Sequence, residues 1–491
     1  MRPRLLLLAA ALVLATPTLA SGSPKAFDPA YEAKNYSKTL ERQNSYLTPQ
    51  YQAQLRQVGA ANRTHALQLQ ATDTEREFVT DLCWSGEDGC AGDVRLYDWQ
   101  TRGYGIVSPV LFTARNGATL SGHVWATKAG PAKRPGIVIT NGSVQAPEQL
   151  YWFAAQALAK AGYVVLTFDP QGQGQSDTFG DGVDRQEGFP AQSDGRPFFD
   201  GTVDALDFFL STAQRPYVPQ KSCLTGTSHR DKQDRRVKAG LNTGANPFAS
   251  LLDPTRIGLA GHSYGAAGVS YVGQADPRVK AVVAWDNLAG TDPTGREAGC
   301  VDAAARKVVK ITKPGLGLSA DYYLPPTPNR ALPDPKAKSV SSLAYSTQGV
   351  DTGEIVIRGG THYDFSFIPN PAFTSSLRGA DLTAWYTVAW FDKYVKGDRS
   401  ADARLLTDRW RHDATTAAID PDRDGNVFSD YYDSRLDIRV GGRRISCEDL
   451  RTRCRALSPQ DGVTGVYDVV AVATAPDGRA TTRLPAGRGL R

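Results

Sequence analysis

The sequence predicts an α/β protein in which helices cover both faces of a mostly parallel central sheet. Three observations predict it. Short apolar runs, rich in Val and Ile, alternate with segments of helical character between residues 105 and 400. The runs are apolar throughout, which is typical of parallel strands buried on both faces. One run turns through Gly-x-Ser-x-Gly, at Gly261 to Gly265, into Ala-rich sequence that favours a helix.

The composition is that of a globular protein, and the N-terminus is that of an exported one. Hydrophobic residues make up 41% of the chain and charged residues 22%, both ordinary values. Arg2 and Arg4 precede an apolar stretch from Leu5 to Leu14, and small residues follow to Ala20. We expect a signal peptide over the first 20 residues, cleaved near Ala20, and a secreted protein. The apolar stretch is too short to predict a transmembrane span.

The charge balance gives no reason to expect a nucleic-acid partner. Removal of the two N-terminal arginines leaves 54 of the 56 basic residues against 51 acidic ones, a net charge of +3. Proteins that bind nucleic acid usually carry a much larger basic excess.

The six cysteines all follow the expected signal peptide, and an even number suits an oxidising compartment. Their arrangement lacks the paired Cys-x-x-Cys spacing of a zinc site, so no metal is predicted. Their spacing favours three disulfides: Cys83 with Cys90, Cys223 with Cys300, and Cys447 with Cys454.

The elements follow in order along the chain. Residues 21–104 are polar and predict an N-terminal arm laid on the main domain. Two β-rich runs then meet at Asn116-Gly117, a strong hairpin signal. Strands are expected at 106–113, 119–127, 135–140, 163–169, 256–260, 279–285, 314–319 and 354–358, and helices at 148–161, 201–210, after residue 263 and at 381–395.

Two further segments stand apart from this alternation. Residues 213–254 form an insertion that is either a lid or substrate wall, or a solvated surface excursion. Residues 413–491 are a small C-terminal β-rich extension, either an appended module or a continuation of the sheet's edge. Asp420 to Gly425 resembles the start of a calcium loop, but position twelve is Tyr431 instead of the Glu that such loops need, which favours an acidic turn.

Over roughly residues 105–400 the chain resembles the α/β-hydrolase superfamily, specifically secreted bacterial esterases and lipases with dienelactone-hydrolase-like features, and we expect a catalytic domain over residues 105–412. Three segments carry the resemblance: Gly-His-Ser-Tyr-Gly at 261–265, Asp169 to Asp177 after the fourth strand, and Thr361 to Phe365 after the last. The resemblance implies the α/β-hydrolase fold for this catalytic domain and a nucleophile elbow at Ser263.

A serine hydroxyl is a weak nucleophile and needs a base, together with a group that orients the base. Ser263 is the predicted nucleophile. Among the six histidines, His362 alone follows the final apolar strand by a short loop, from which it can reach the carboxyl edge of the sheet. The resemblance implies Asp321, after the seventh strand, as the acid, and Asp286, after the sixth, is the alternative. His262 is expected to pack beneath the turn.

The substrate carbonyl oxygen becomes negatively charged during attack and needs preorganised donors. The backbone N–H of Tyr264, at the helix start, is one expected donor. The other is expected from Gly142 or Ser143, after the third strand. Many relatives carry His-Gly here, whereas this chain has Asn141-Gly142.

These residues predict a secreted serine hydrolase that cleaves small-molecule or lipid-like carboxylic esters through an acyl-enzyme, without metal or organic cofactor. A serine aminopeptidase or other amide hydrolase, and an acyltransferase, are alternatives on the same fold. The non-enzyme alternative is an inactive binding protein. The sequence specifies neither the acyl and alcohol groups nor the oligomeric state.

Overall fold

The computed structural model describes most of the chain between residues 48 and 456. The expected signal peptide, three cysteines (Cys83, Cys90 and Cys300), Asp321, and the segment from Asp420 to Gly425 lie outside the described residues. The described ranges are 48–78, 91–101, 103–143, 146–189, 195–286, 288–291, 308–320, 335–357, 361–368, 377–407 and 434–448, with 450, 454 and 456.

The described strands form one mixed sheet in the order β1-β2-β4-β3-β5-β6-β7-β8-β9-β10. The central strands β3 to β8 pair in parallel, and antiparallel pairs close both edges. The prediction of a mostly parallel sheet is therefore confirmed. The strands are β1 Gly105–Thr113, β2 Thr119–Thr127, β3 Arg134–Thr140, β4 Val164–Phe168, β5 Leu252–His262, β6 Val279–Trp285, β7 Gly315–Ala320, β8 Thr352–Ile357, β9 Arg435–Val440 and β10 Arg443–Cys447.

Helices cover both faces of this sheet. α2 (Trp152–Lys160) and α7 (Leu377–Phe391) pack on one face, and α3 (Arg196–Phe209) and α5 (Tyr264–Ala275) pack on the other. The described helices are α1 Pro49–Thr72, α2 Trp152–Lys160, α3 Arg196–Phe209, α4 Arg230–Lys238, α5 Tyr264–Ala275, α6 Pro335–Thr347, α7 Leu377–Phe391 and α8 Ala401–Leu405. None of them is long and apolar enough to cross a membrane.

The apolar runs are explained by burial on two sides. Every residue of β3 is buried, and neighbours alternate between two cores because successive side chains of a strand point to opposite faces. Ile137 and Ile139 join the core under α2 and α7, whereas Val138 joins the core under α3 and α5.

The insertion at 213–254 is anchored to the domain. Its helix α4 buries Arg236, which is 1% exposed and forms an ion pair with Asp73 of the N-terminal arm. Gln233 accepts a hydrogen bond from the Thr113 N–H at 2.9 Å, and Lys232 donates to the Gly117 carbonyl at 2.7 Å. These contacts hold α4 to β1, to the hairpin and to the arm.

The C-terminal extension begins as a continuation of the sheet. Strand β9 pairs antiparallel with β8, with Glu354 opposite Arg435, and β10 completes the edge. Cys447, at the end of β10, forms a disulfide with Cys454, as the spacing predicts. Cys223 is also in a disulfide, whose other half lies outside the described residues.

Candidate active site

Ser263 occupies the turn between β5 and α5 in a backbone conformation that serine rarely adopts. Its φ is 57° and its ψ −119°, and non-glycine residues with positive φ are uncommon and strained. The Ser263 N–H donates to the Trp285 carbonyl at 2.9 Å, which fixes the turn to the end of β6. Ser263 stays partly exposed, as a nucleophile at a strand-to-helix elbow must be.

Both glycines of the motif are needed for close backbone packing. A Cβ on Gly265 would collide with the carbonyl oxygens of Thr140 and Asn141, at the end of β3. A Cβ on Gly261 would lie 2.5 Å from the Gly265 carbonyl oxygen. The start of α5 can therefore pack directly against β3 only because these residues lack side chains.

His362 lies in the loop after β8 and is held by a carboxylate. Its Nδ1 is 2.6 Å from Oδ2 of Asp286, and both side chains are less than a tenth exposed. The loop around His362 is a short 3₁₀ helix, His362–Phe365, that is capped reciprocally by Thr361 and Asp364. Asp364 therefore stabilises the turn that contains His362.

Of the two acids that the sequence offered, Asp286 is the one among the described residues, and it contacts His362. It follows β6 directly, with a φ of 41°, and its N–H donates to the Leu318 carbonyl at 2.7 Å. Asp321, the acid that the resemblance implied, comes immediately after β7 and lies outside the described residues. Both positions end a parallel strand, so the sequence could not choose between them.

His262 links the loop that contains His362 to the turn at Ser263. Its Nε2 lies 2.9 Å from the backbone oxygen of His362, and the two ring centroids are 4.5 Å apart. His262 is buried beneath the turn, as expected, but hydrogen bonds at both of its ring nitrogens were not foreseen. Burial lowers the pKa of His262 well below its usual value, and the neighbouring His362 lowers it further.

This buried neutral imidazole makes stability depend on pH. Below about pH 6.5 an unfolded histidine binds a proton, whereas folded His262 does not, so the unfolded state gains protons as the pH falls. The free energy of unfolding should then decrease by about 1.4 kcal/mol for each pH unit below 6.5. Urea unfolding between pH 7.5 and 5 measures this slope. In the His262→Gln variant the free energy of unfolding should fall less steeply, by about 1.4 kcal/mol per pH unit, which is the contribution of one proton. Equal slopes in the two proteins would contradict a neutral His262.

The loop after β3 lies against the nucleophile, where the second oxyanion donor was expected. A Cβ on Gly142 would be 3.2 Å from the Ser263 Cβ and 2.8 Å from His262 Nδ1. The Gly142 N–H, however, donates to the Tyr151 hydroxyl at 2.9 Å. Gly142 is thus already engaged, and Ser143 remains as the donor from this loop. Ser143 is partly exposed and has no hydrogen-bond partner among the described residues.

The first expected donor is the backbone N–H of Tyr264. Tyr264 is the first residue of α5 and directly follows Ser263. The first N–H groups of a helix have no acceptor within that helix and lie at the positive end of its dipole. Tyr264 and Ser143 are therefore the two candidate amide donors near Ser263.

The segment after β4 holds this loop in place. Asp169 is buried and accepts hydrogen bonds from Asn141 Nδ2 at 2.9 Å, from the Glu148 N–H at 2.7 Å and from the Gln175 N–H at 2.9 Å. Burial raises the pKa of Asp169 well above its usual value, and the Glu148 carboxylate adds to the effect. Asn141 thus supports the loop through its hydrogen bond to Asp169.

Sequence reasoning missed an aromatic wall beside the nucleophile. The Tyr264 ring packs against Phe189 and Phe198, with centroid distances of 5.1 Å and 5.4 Å. Tyr264 and Phe189 are partly exposed, so the wall presents apolar surface at the rim. Phe189 lies in the irregular segment after β4, where no periodicity indicates which way a side chain points.

The site therefore gathers loops from the carboxyl ends of β3, β5, β6 and β8. Within the described part of the chain, no group of three or more His, Cys, Asp and Glu side chains is arranged to hold a metal ion. Comparison with protein-family models gives no match for the chain, and neither does comparison with curated proteins.

Proposed function

We propose that this chain is a member of the α/β-hydrolase superfamily and a secreted serine hydrolase of carboxylic esters. One observation carries the proposal: a strained, partly exposed serine at a strand-to-helix elbow shares a sheet edge with a buried His–Asp pair. The His362–Asp286 contact is 2.6 Å, and the base loop is hydrogen-bonded to the residue that precedes Ser263. Nucleophile, base and orienting acid are the parts that acyl transfer requires.

In this proposal each side chain has a role that the geometry supports. Because His362 Nδ1 donates to Asp286, its Nε2 is the nitrogen that takes the proton from Ser263 as the hydroxyl attacks the ester carbonyl. The resulting oxyanion is stabilised by the N–H groups of Tyr264 and Ser143. His362 then protonates the departing alcohol and leaves an acyl-enzyme, which water cleaves with His362 again as the base.

The aromatic wall favours esters with an apolar group. Tyr264 and Phe189 offer an uncharged surface next to the nucleophile, which suits an acyl or alcohol chain because burying apolar area stabilises the bound substrate. Amide hydrolysis and acyl transfer use the same catalytic groups as ester hydrolysis. The substrate comparison described next distinguishes the three reactions. A binding protein without activity would have no need to keep the strained serine.

The proposal is tested by substrate comparison. We expect the purified protein to hydrolyse nitrophenyl esters over a range of acyl lengths much faster than amino-acid anilides, with Ser263→Ala as the inactive control. Faster anilide hydrolysis would instead indicate an amide hydrolase, and ester product formed on an added alcohol would indicate an acyltransferase. A folded protein that acts on none of these substrates would contradict the proposal.

A further inference from the structure

A continuous chain of buried hydrogen bonds crosses the candidate site behind the nucleophile. The Gly142 N–H lies 2.9 Å from the Tyr151 hydroxyl, and this hydroxyl lies 2.8 Å from His262 Nδ1. His262 Nε2 in turn lies 2.9 Å from the His362 carbonyl oxygen. Tyr151 is fully buried and His262 is 3% exposed, so water does not compete for these contacts.

The chemistry of the partners fixes where each hydrogen lies. A carbonyl oxygen only accepts, so His262 Nε2 carries the hydrogen that it shares with His362. A neutral imidazole has one N–H, which leaves Nδ1 as an acceptor for the Tyr151 hydroxyl. That hydroxyl accepts from Gly142 and from the Ser366 side chain. Every donor and acceptor of Tyr151 and His262 is thus used, in one arrangement only.

We propose that Tyr151 and His262 are positioning residues of the hydrolase, which hold the oxyanion loop and the catalytic base at a fixed separation around Ser263. This inference rests on the proposed function. One end of the chain is Gly142, which adjoins the donor Ser143, and the other is the backbone of His362. Displacement of either end by about 1 Å costs on the order of a hundredfold in rate.

The same arrangement keeps a second positive charge away from the base. His362 becomes an imidazolium when it takes the serine proton, and the His262 ring centroid is 4.5 Å from the His362 centroid. The Tyr151 hydroxyl hydrogen occupies the side of Nδ1 where a proton would add. A charged His262 would repel the imidazolium and compete for Asp286, the other charged group that faces it.

The test removes one hydroxyl and leaves the packing. In Tyr151→Phe the ring still stacks on Trp285, while the links to Gly142 and His262 are lost. We expect kcat for a nitrophenyl ester to fall by about 10- to 100-fold, with KM within about threefold, because the loss falls on alignment in the transition state.

The matched control is Tyr163→Phe, since Tyr163 is equally buried and donates to Asp392 at 2.8 Å, at the opposite edge of the sheet. Its kcat should stay within about twofold.

A pair of variants at His262 keeps the test decisive if Tyr151→Phe does not fold. Gln can donate to the His362 carbonyl and accept from Tyr151, whereas Leu can do neither. We expect His262→Gln to keep a kcat at least about tenfold above that of His262→Leu when both are folded, as judged by thermal unfolding.

Three outcomes overturn the inference. A kcat for Tyr151→Phe equal to that of Tyr163→Phe overturns it, and so does wild-type kcat in His262→Leu. In both cases the proposed function survives if Ser263→Ala is inactive. Absence of ester turnover in the folded wild-type protein ends both proposals together.

Discussion

Replacement of Ser263 by alanine is expected to lower kcat for ester hydrolysis by at least about a thousandfold. In the proposed mechanism the Ser263 hydroxyl forms the covalent intermediate, and alanine has no hydroxyl with which to form it. Alanine fits the same turn, so the fold should be retained. Steady-state rates with a nitrophenyl ester measure the loss, and the thermal unfolding midpoint checks the fold.

The matched control for this substitution is Ser270→Ala, in α5, the helix that begins directly after Ser263. Ser270 is buried and donates to the Ala266 carbonyl at 2.7 Å, away from the candidate catalytic groups. The Ser270 hydroxyl also accepts from the Ala289 N–H at 3.1 Å, so the variant loses two structural hydrogen bonds, and it should keep kcat within about threefold. Near-native turnover in Ser263→Ala would remove Ser263 from the mechanism.

Replacement of Asp286 by asparagine is expected to lower kcat by about 10⁴-fold. An asparagine amide donates to His362 Nδ1, which places the imidazole hydrogen on Nε2, where it can no longer accept the serine proton. The carboxamide has the same shape as the carboxylate, so the effect is electronic. Steady-state kinetics on the folded variant measure it.

The comparison with Asp321→Asn decides which carboxylate is the acid. If Asp286 orients the base, Asp321→Asn should retain kcat within about threefold, because one acid suffices. The reverse result, a large loss at Asp321 and little loss at Asp286, would show that Asp321 is the acid despite the contact between Asp286 and His362.

The central sheet could be predicted because each of its parallel strands can be recognised from its own local sequence. Each of the strands β3 to β8 contains a short run of buried, mostly apolar residues, so burial on both faces is visible in the sequence. The helix α4 could not be predicted, because Arg230–Lys238 has no apolar stripe. It is held instead by Arg236, Lys232 and Gln233, whose partners lie on β1, the hairpin and the arm. Such long-range polar contacts leave no local pattern.

The candidate site could be predicted only in part, for the same reason. The elbow at Ser263 and the base loop at His362 depend on local sequence and on the order of the strands. The partner of His362 and the engagement of the Gly142 N–H depend on where Asp286 and Tyr151 come to lie. Asp286 and Asp321 both follow strands, and distances decide which of them reaches the imidazole.

The most direct test of the account is fluorophosphonate labelling followed by peptide mapping, on the wild type and on His362→Ala. We predict one adduct per wild-type chain, on Ser263, and labelling slower by at least about a hundredfold in the variant, because the hydroxyl has lost its base. An adduct on another residue, no adduct in folded wild-type protein, or equal labelling rates in the two proteins would contradict the claim that Ser263 and His362 act together.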